Sequence, residues 1–423
     1  MSTPEVEQTE ITLETLLAPA NVNSAWAAVK RNDGAPGVDR KTIQDTLTHL
    51  KQHWPGIRDK LLSGDYRPAA VRAVEIPKAS GGTRLLGIPT VQDRLLQQAI
   101  NQRLSELFDP LMSDNSFGFR PNRSAQDAVT RARSYVDQGK IWVVDIDLKS
   151  FFDQVNHDRL MRLISPKVSD KRILKLIGHY LRVPLRHADG RQEKRLRGTP
   201  QGGPLSPLLA NIYLDPLDKE LEPRGIAFVR YADDIALFLS SERAAQRALQ
   251  SIKAWLKKHL DLEINEAKSG TGPCGESQLL GFRIHETGNV SIAPKAVKRL
   301  KEQVRALWDA RQSKTSKELR TQWRRYIIGW WNYFGYANWR KEVTTLSGWI
   351  RRHMRKCFWL RWHNRAGRYQ ALRRLGVKGR GLQVAGCRRG AWRMSTHVVV
   401  NQALKTAALN RYGFGLPWEL AAK

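Results

Sequence analysis

Apolar positions change their spacing along the chain, and each change indicates a different kind of element. The sequence Thr-Val-Gln-Asp at 90–93 is a helix-capping signal, and the apolar residues after it recur every three or four positions as far as Leu107. Residues 241–260 repeat this helical spacing. Residues 141–148 are instead continuously apolar except for two aspartates, and 228–239 indicate strand, tight turn and strand. This part of the chain therefore predicts helices mixed with antiparallel strands.

The pattern changes near residue 290. A second short hairpin is indicated at 279–284 and 290–292, and long helices follow it as far as 358–362. A Gly- and Arg-rich passage at 376–390 then leads to a short terminal helix. The sequence thus predicts a mixed α/β part followed by a mainly helical part.

Charge divides the chain at the same place. The 423 residues carry 71 Lys and Arg against 40 Asp and Glu, a formal net charge of +31. Residues 291–423 hold 30 of these basic side chains, only 5 acidic ones and 10 of the 14 tryptophans. An excess of this size repels itself unless a polyanion neutralises it, which predicts a nucleic-acid partner. One predicted helix alternates cations with aromatic rings, and its expected contact residues are Arg351, Arg352, Arg355, Lys356 and Arg361.

The sequence also indicates the compartment. No apolar run reaches the roughly 18–20 residues of a membrane span. The acidic N-terminus lacks the features of a secretion signal, and three widely spaced cysteines form neither a disulfide framework nor a zinc motif. We expect a cytoplasmic protein that has no membrane partner.

Two pairs of aspartates are the most informative polar residues. Asp233 and Asp234 lie at the tip of an otherwise apolar hairpin, where carboxylates without counter-charge are costly to bury. Asp145 and Asp147 share one face of the predicted strand at 141–148, because side chains alternate with a period of two. An isolated pair of aspartates is ordinarily a solvated turn. Two acidic strands side by side would instead suit two Mg²⁺ ions acting in phosphoryl transfer.

Several blocks resemble reverse transcriptases and occur in the order found in that family. These blocks are 76–94 in the fingers, Phe-Gly-Phe-Arg-Pro at 117–121, Asp-Leu-Lys-Ser-Phe-Phe at 147–152, Thr-Pro-Gln-Gly-Gly-Pro-Leu-Ser-Pro at 199–207 and Tyr-Ala-Asp-Asp at 231–234. Residues 34–39 resemble the N-terminal extension of reverse transcriptases encoded by bacterial group II introns, and 323–334 and 390–395 resemble the maturase X domain and terminal segment of that group. The sequence ends at Lys423 without a Cys- and His-containing endonuclease module, as in class C intron proteins, so second-strand nicking is not expected.

The resemblance implies an α+β right-hand polymerase. It implies an N-terminal extension (1–56), fingers and a palm with an antiparallel sheet (57–285), an α-helical thumb or maturase X domain (286–370) and a small basic C-terminal DNA-binding-like domain (371–423). The implied activity is RNA-directed DNA polymerisation, with a maturase role in splicing and mobility of a group II intron. The implied partners are an RNA template (the chain's own intron RNA), a DNA or RNA primer, target DNA and dNTPs, in the bacterial cytoplasm.

The resemblance also implies the metal site. Asp147, Asp233 and Asp234 would bind two Mg²⁺ ions, with Mn²⁺ able to substitute and the Leu148 carbonyl as a backbone ligand. Asp147 is preferred to Asp145 because the family places an aromatic residue five positions after the catalytic acid, and that residue here is Phe152. Phe152 would lie under the sugar and exclude a 2′-hydroxyl. Asp145, Asp153, His157 and His179 are expected to be structural or surface residues.

The remaining roles concern the nucleotide and the template. Lys78 and Arg84 would hold the triphosphate, since Arg presents a fork that matches phosphate oxygens. Gln201 and Gly202, together with Gly203, would line the nucleotide pocket, where a glycine permits close backbone approach. Lys268 matches a basic position near the primer or nucleotide, and Arg120 is expected to contact the template.

Other functions share some of these features. The chain is also compatible with a maturase that binds intron RNA while its polymerase is idle, although the intact acids argue against this. A domesticated, intron-free reverse transcriptase in defence or DNA repair would have the same residues. An RNA-dependent RNA polymerase would share the acids, but Phe152 argues against it.

Overall fold

The computed structural model describes residues 11–77, 83–338 and 340–420. The chain forms two compact units, Met1–Pro273 and Cys274–Lys423. Within the described residues no helix is long and apolar enough to cross a membrane. The mixed α/β content predicted from the sequence is confirmed.

The first unit combines helices with two small sheets. Its α-helices are α1 (Leu13–Leu16), α2 (Pro19–Asn32), α3 (Ile43–Leu62), α4 (Val91–Phe108), α5 (Ala125–Asp137), α6 (Phe151–Gln154), α7 (His157–Ile164), α8 (Lys171–Arg182), α9 (Ser206–Leu221) and α10 (Glu242–Leu260), and a short 3-10 helix spans Asp109–Leu111. Its strands are β1 (Val71–Pro77), β2 (Thr83–Ile88), β3 (Trp142–Asp147), β4 (Leu185–Arg186), β5 (Gln192–Glu193), β6 (Ala227–Tyr231), β7 (Asp234–Leu239) and β8 (Gly270–Pro273).

The two sheets differ in their pairing. The first sheet has the order β2-β1-β4-β5, and its β1–β4 pair is parallel. The second has the order β6-β7-β3-β8 and is antiparallel throughout. The strand and hairpin predicted at 141–148 and 228–239 are therefore confirmed, and both belong to this second sheet.

Local sequence signals explain how the helices beside the sheets begin. The Thr90 hydroxyl accepts the Asp93 N–H at the start of α4, as its capping sequence predicted. Asp93 is buried, and its carboxylate also accepts the hydroxyls of Tyr66 (2.8 Å) and Tyr180 (3.2 Å). These bonds tie α4 to the segment after α3 and to α8, so a buried carboxylate joins three parts of the core.

The second unit begins with an antiparallel hairpin, β9 (Phe282–Ile284) and β10 (Val290–Ile292), which confirms the second predicted hairpin. Its helices are α11 (Pro294–Leu307), α12 (Ser316–Phe334), α13 (Arg340–Arg361), α14 (Arg365–Arg374), α15 (Ala391–Met394), α16 (Val398–Ala403), α17 (Thr406–Arg411) and α18 (Pro417–Leu420), with a 3-10 segment at Gly379–Gly386. Trp308 is buried in its core, with its ring centroid 5.4 Å from those of Trp323 and Phe414. Several of its tryptophans therefore form a core, while most of its charged residues face solvent.

Candidate active site

Three aspartates meet at one end of the second sheet. Asp147 ends β3 and lies directly opposite Asp234, the first residue of β7. Tyr231 pairs with the same Asp234 across the β6–β7 hairpin, which leaves Ala232 and Asp233 as the two turn residues. The antiparallel register thus brings together the three acids that the sequence predicted to act jointly.

The closeness of these acids affects their ionisation. Desolvation, followed by the negative charges of Asp233 and Asp147, raises the pKa of the Asp234 carboxyl to about 6. Desolvation and the charge of Asp147 also raise the pKa of Asp233, while Arg84 and Arg230 oppose this rise. The Lys268 ammonium lies 3.5 Å from an Asp147 carboxylate oxygen. The acids therefore repel one another, and the site attracts positive charge.

The backbone around Asp147 is fixed from the side away from β7. Its N–H donates to the Ser269 hydroxyl (3.0 Å), and its carbonyl accepts the Asn265 N–H (2.7 Å). Leu148 forms an antiparallel bridge with Ile264, but the bonds of this bridge are made by the neighbouring residues. In such a pair the carbonyl of the bridged residue points away from its partner. The Leu148 carbonyl accordingly points toward the side of Asp233.

A buried ion pair supports the turn that carries Asp233. Arg230 and Asp218 are fully buried, and the Arg230 Nε and Nη2 groups donate to the Asp218 carboxylate at 2.8 and 2.5 Å. The remaining nitrogen, Nη1, donates to the Asn211 side-chain oxygen (2.8 Å) and to the Ala232 carbonyl (3.1 Å). Ala232 has a φ of +57°, a left-handed conformation that disfavours alanine. The guanidinium therefore stabilises a strained turn residue directly beside the acids.

The loop before α5 supports the same turn from outside. The Phe117 N–H donates to the Arg230 carbonyl (2.8 Å), and the Asn211 amide donates to the Gly118 carbonyl (2.8 Å). A Cβ atom on Gly118 would collide with the backbone nitrogen of Ala232. A glycine is required there because two backbone segments touch.

A cleft of about 740 Å³ in the first unit collects five of the residues predicted to line the nucleotide pocket: Arg84, Phe152, Gln201, Gly202 and Gly203. The Gln201 carbonyl accepts the Gly87 N–H at 2.9 Å, which fixes the 200–203 loop against β2. Gly202 has a φ of +126°, and a Cβ there would lie 2.9 Å from the Gly87 carbonyl oxygen. Lys268 lies beside Asp147 and does not line this cleft. Lys78 lies outside the described residues.

Sequence reasoning missed other residues that line the cleft. Arg31 and Asn32 at the end of α2 lie on its wall. Phe119 also lines it and is 59% exposed, and it belongs to the 117–122 block that the sequence predicted to contact the template. The Arg94 guanidinium donates to the carbonyls of Ala35 (2.7 Å) and Gly34 (3.1 Å), which holds the turn after α2 against α4. The turn predicted at 34–39 was the only sequence signal near this wall of the cleft. It could not show that the turn packs against α4, because that packing depends on bonds from the distant Arg94.

The prediction that Arg120 contacts the template is wrong for its guanidinium group. The residue is buried, and its Nε donates to the Asp109 carboxylate at 2.6 Å. Its Nη1 donates to the carbonyls of Ser113 (2.5 Å) and Ser116 (3.0 Å), and its Nη2 to the Asp109 carbonyl (2.7 Å). Arg120 therefore organises the loop before α5 from within.

The predicted nucleic-acid contacts on α13 are partly used inside the second unit. Arg351 pairs with Glu419, Arg352 lies 3.8 Å from the centroid of the Trp392 ring, and Arg355 donates to the Leu404 carbonyl (3.3 Å). Arg361 donates to the Lys314 carbonyl, and Lys356 is half-buried. All five side chains keep some exposure, and their contacts with nucleic acid stay predictions.

We expect Asp218→Asn to destabilise the protein by about 3 kcal/mol, because it leaves the Arg230 charge buried without a counter-ion. Urea unfolding followed by circular dichroism measures this change. The matched double variant Asp218→Leu, Arg230→Met removes both charges and should recover most of the loss. An Asp218→Asn variant as stable as the wild type would show that the ion pair does not support the turn.

We expect Asp234→Asn to stabilise the metal-free protein at pH 7, because it removes a carboxylate whose charged form is disfavoured by desolvation and by the charges of Asp233 and Asp147. The gain should be only about 1 kcal/mol, since the residue as a whole is exposed and water screens part of this effect. The folded-state pKa of about 6 exceeds the ordinary 3.8, so the folded protein binds more protons between these values. The carboxylate therefore destabilises the fold at pH 7, and this effect diminishes as the pH falls toward 3.8. Urea midpoints in chelator at pH 7 and pH 5 test this, with the exposed Asp59→Asn as control. A larger gain at pH 5 than at pH 7 would contradict it.

Two family descriptions match the chain. "Reverse transcriptase (RNA-dependent DNA polymerase)" matches residues 76–284, which include the three aspartates and the cleft residues Arg84, Phe152, Gln201 and Gly202. "Group II intron, maturase-specific domain" matches residues 297–376 of the second unit.

Curated proteins and a solved structure also show similarity to the chain. Protein YkfC of Escherichia coli K12 is 31% identical over 275 residues, 56% of this chain and 71% of YkfC. The group II intron-encoded protein LtrA of Lactococcus lactis is 38% identical over 189 residues, which is 44% of this chain but 29% of LtrA. A telomerase from Candida albicans, solved with a fragment of telomeric RNA, superposes with a TM-score of 0.43 and 14% identity over 72% of this chain and 64% of that chain. With both domain descriptions and the YkfC alignment in agreement, the chain belongs to the group II intron-type reverse transcriptases, which carry a maturase-specific domain.

Proposed function

We propose that this chain copies an RNA template into cDNA at the end of the second sheet. The observation that carries the proposal is the register that places Asp147 opposite Asp234 with Asp233 in the adjoining turn. Arg84 lines the cleft, and its positive charge lowers the pKa of Asp233, which links the cleft electrostatically to these acids. A primer 3′-hydroxyl would attack the α-phosphate of a dNTP there and expel pyrophosphate.

The donor set fits divalent metal ions. Three carboxylates and the Leu148 carbonyl would supply the hard oxygen ligands that Mg²⁺ prefers. Desolvation, together with the neighbouring acids, raises the pKa values of Asp233 and Asp234, and a bound cation would oppose this rise. No group of three His, Cys, Asp or Glu side chains in the described part of the chain is arranged tightly enough to hold a metal ion by itself. Bound substrate oxygens would complete the coordination, as is usual for Mg²⁺. Two Mg²⁺ ions, or Mn²⁺ in their place, would activate the primer hydroxyl and neutralise the triphosphate.

The cleft residues would bind and select the nucleotide. Arg84 would hold the triphosphate beside Asp233, together with Lys78. Gln201 and Gly202 would form the wall on which the base pair rests, because their backbone is fixed by β2. Phe152 would lie under the sugar and exclude the 2′-hydroxyl, which favours dNTPs. Lys268 would leave Asp147 for the nucleotide or primer when cations occupy the site.

The polymerase assignment is tested by primer extension on an RNA template with dNTPs and Mg²⁺. We expect Asp147→Asn and Asp233→Asn each to lower the extension rate by at least about 100-fold, because each removes a ligand charge at the reacting phosphate. Asp145→Asn is the matched control on the same strand and face, and it should cost less than about tenfold. Equal losses for Asp145 and Asp147 would refute the choice of Asp147, and full activity of Asp233→Asn would refute the site.

We propose in addition that the second unit gives the chain a maturase role on a group II intron RNA. The maturase-specific match at 297–376 and the basic excess of 291–423 support this role. We assign the thumb to 286–370, the basic C-terminal domain to 371–423, the fingers and palm to 57–285 and the N-terminal extension to 1–56. Target DNA would be a further partner of the basic regions.

Splicing by a variant without polymerase activity tests the maturase role. We expect Asp233→Asn, Asp234→Asn to splice its intron at within about twofold of the wild-type rate, because these acids lie in the first unit. Arg373→Glu, Arg374→Glu reverses two exposed charges on α14 and should weaken RNA binding and splicing about tenfold or more. If splicing falls together with cDNA synthesis in the aspartate variant, the two roles do not separate in this way.

A further inference from the structure

The segment that precedes Gln201 is bonded to the helical turn that carries Phe152. The Thr199 N–H donates to the Phe152 carbonyl at 2.7 Å, and the Gly198 N–H donates to the Val155 carbonyl at 2.7 Å. Thr199 is fully buried. These two bonds clamp α6, from its second residue to the residue after its end, against one short stretch of backbone.

The clamp requires a glycine at position 198. Gly198 has a φ of +84°, and a Cβ there would lie 2.7 Å from the Phe152 carbonyl oxygen and 2.8 Å from the Asp153 Cα. The Gly198 backbone is therefore in direct contact with the main chain of Phe152. A shift of Gly198 must be transmitted to Phe152, because a packed interior leaves no free space between them.

His157 fixes Gly198 from the other side. Its ring is buried at the start of α7, and Nε2 lies 2.8 Å from the Gly198 carbonyl oxygen. A carbonyl can only accept, so Nε2 carries the hydrogen and donates. Burial, with the charges of Arg182 and Arg195, lowers the pKa of His157 against the opposing effect of the Gly198 bond, so the ring is neutral at pH 7. The mechanism proposed above makes no use of this histidine.

The Phe152 ring is supported from behind as well. It packs on Phe151 (centroids 5.2 Å apart), which packs on Tyr213 (6.3 Å), and the Tyr213 hydroxyl donates to the Leu260 carbonyl at 2.6 Å. Phe151 and Tyr213 are buried. The position of the ring in the cleft therefore depends on this packing and on the backbone clamp through Gly198 and Thr199.

We propose that His157 is a specificity-positioning residue, which holds Phe152 at the height that excludes a ribose 2′-hydroxyl by bonding the Gly198 carbonyl. The inference rests on the proposed function of Phe152 and names the residue that sets its position. His157 touches no substrate and acts through Gly198 and Thr199. Loss of its N–H leaves a buried carbonyl unpaired, which favours a shift of the clamp. A steric filter of this kind is sensitive to small displacements, so discrimination should fall more than activity.

The test compares two substitutions by single-nucleotide insertion of dCTP and CTP opposite a template guanine. His157→Leu removes the donor at similar size, whereas His157→Gln keeps an N–H near the position of Nε2. We expect the dCTP-to-CTP ratio of kcat/KM to fall about tenfold in His157→Leu and to stay within about threefold of wild type in His157→Gln. His179→Leu is the matched control, because this ring lies beside the Tyr66 backbone, away from the cleft. If His157 has a purely structural role, His157→Leu lowers kcat/KM equally for dCTP and CTP and leaves their ratio unchanged. That result would overturn the inference.

Two further variants separate this inference from the role of Phe152 itself. Phe152→Ala should lower the ratio about 100-fold, and adding His157→Leu should lower it no further, because without the ring there is nothing to position. If Phe152→Ala leaves the ratio unchanged, the steric role of Phe152 is wrong and the inference falls with it. If Phe152→Ala lowers the ratio but His157→Leu does not, or if the two effects add, the inference alone is overturned.

If His157→Leu does not fold, a second variant that alters the contact between Gly198 and Phe152 directly provides the test. Thermal unfolding by circular dichroism identifies that case. Gly198→Ala places a methyl group against the Phe152 carbonyl without altering His157. It should lower the dCTP-to-CTP ratio by about tenfold, and an unchanged ratio in a folded Gly198→Ala protein overturns the inference.

Discussion

Holding three carboxylates together is the constraint on which the rest of the first unit depends. Asp147, Asp233 and Asp234 repel one another, and desolvation together with this repulsion raises the pKa values of Asp233 and Asp234. The fold balances this cost with a buried ion pair between Arg230 and Asp218, placed so that one guanidinium nitrogen bonds the Ala232 carbonyl in the same turn. A fully buried pair with its hydrogen bonds satisfied is stable only when its geometry is fixed, which makes it a rigid support. The local fold is thus organised around keeping acids where electrostatics alone would separate them.

Close backbone contacts extend this rigidity from the acids to the cleft. Gly118 touches the turn of Ala232, Gly198 touches the main chain of Phe152, and Gly202 approaches the Gly87 carbonyl. At each position a side chain would separate two segments that now touch. Close backbone contacts therefore support the segments that carry the acids and the cleft residues, and a support of this kind fixes their positions more firmly than flexible side chains would. The same contacts explain why a residue that touches no substrate can affect the selection of nucleotides. When one backbone segment moves, the segment that it touches must move as well, because no flexible side chain lies between them.

The sequence predicted correctly those features that depend on residues close together in the chain, and it failed for features that depend on contacts between distant residues. The strand containing Asp147, the hairpin with Asp233 and Asp234 and the cap at Thr90 depend on neighbouring residues, so their spacing predicted them. The meeting of Arg84 and Gln201 in one cleft required the resemblance to a known family, because no local pattern relates residues so far apart. Arg120 was misjudged for a related reason: a motif shows that a cation is present, but its neutralisation by Asp109 and three carbonyls is visible only in the fold. Arg31, Asn32 and the link between His157 and Gly198 likewise depend on tertiary contacts.

The positive charge of the second unit differs from the negative charge of the three acids, because acidic side chains within the unit neutralise only a small part of it. Residues 291–423 carry 30 basic and 5 acidic side chains, so even complete pairing would leave 30 − 5 = 25 positive charges. The acids are already engaged in part, since Asp309 pairs with Arg311, Glu419 with Arg351, and Glu318 caps α12. Some guanidinium groups pack on rings, as Arg352 does on Trp392, which keeps their stems ordered while their charge remains. Self-repulsion of this size lowers the stability of the free unit and is relieved by phosphates, so binding a nucleic acid would also stabilise the fold. In the first unit the repulsion is between three acids, and a buried ion pair supports the turn that carries two of them. In the second unit the repulsion is spread over a basic surface that a polyanion is suited to cover.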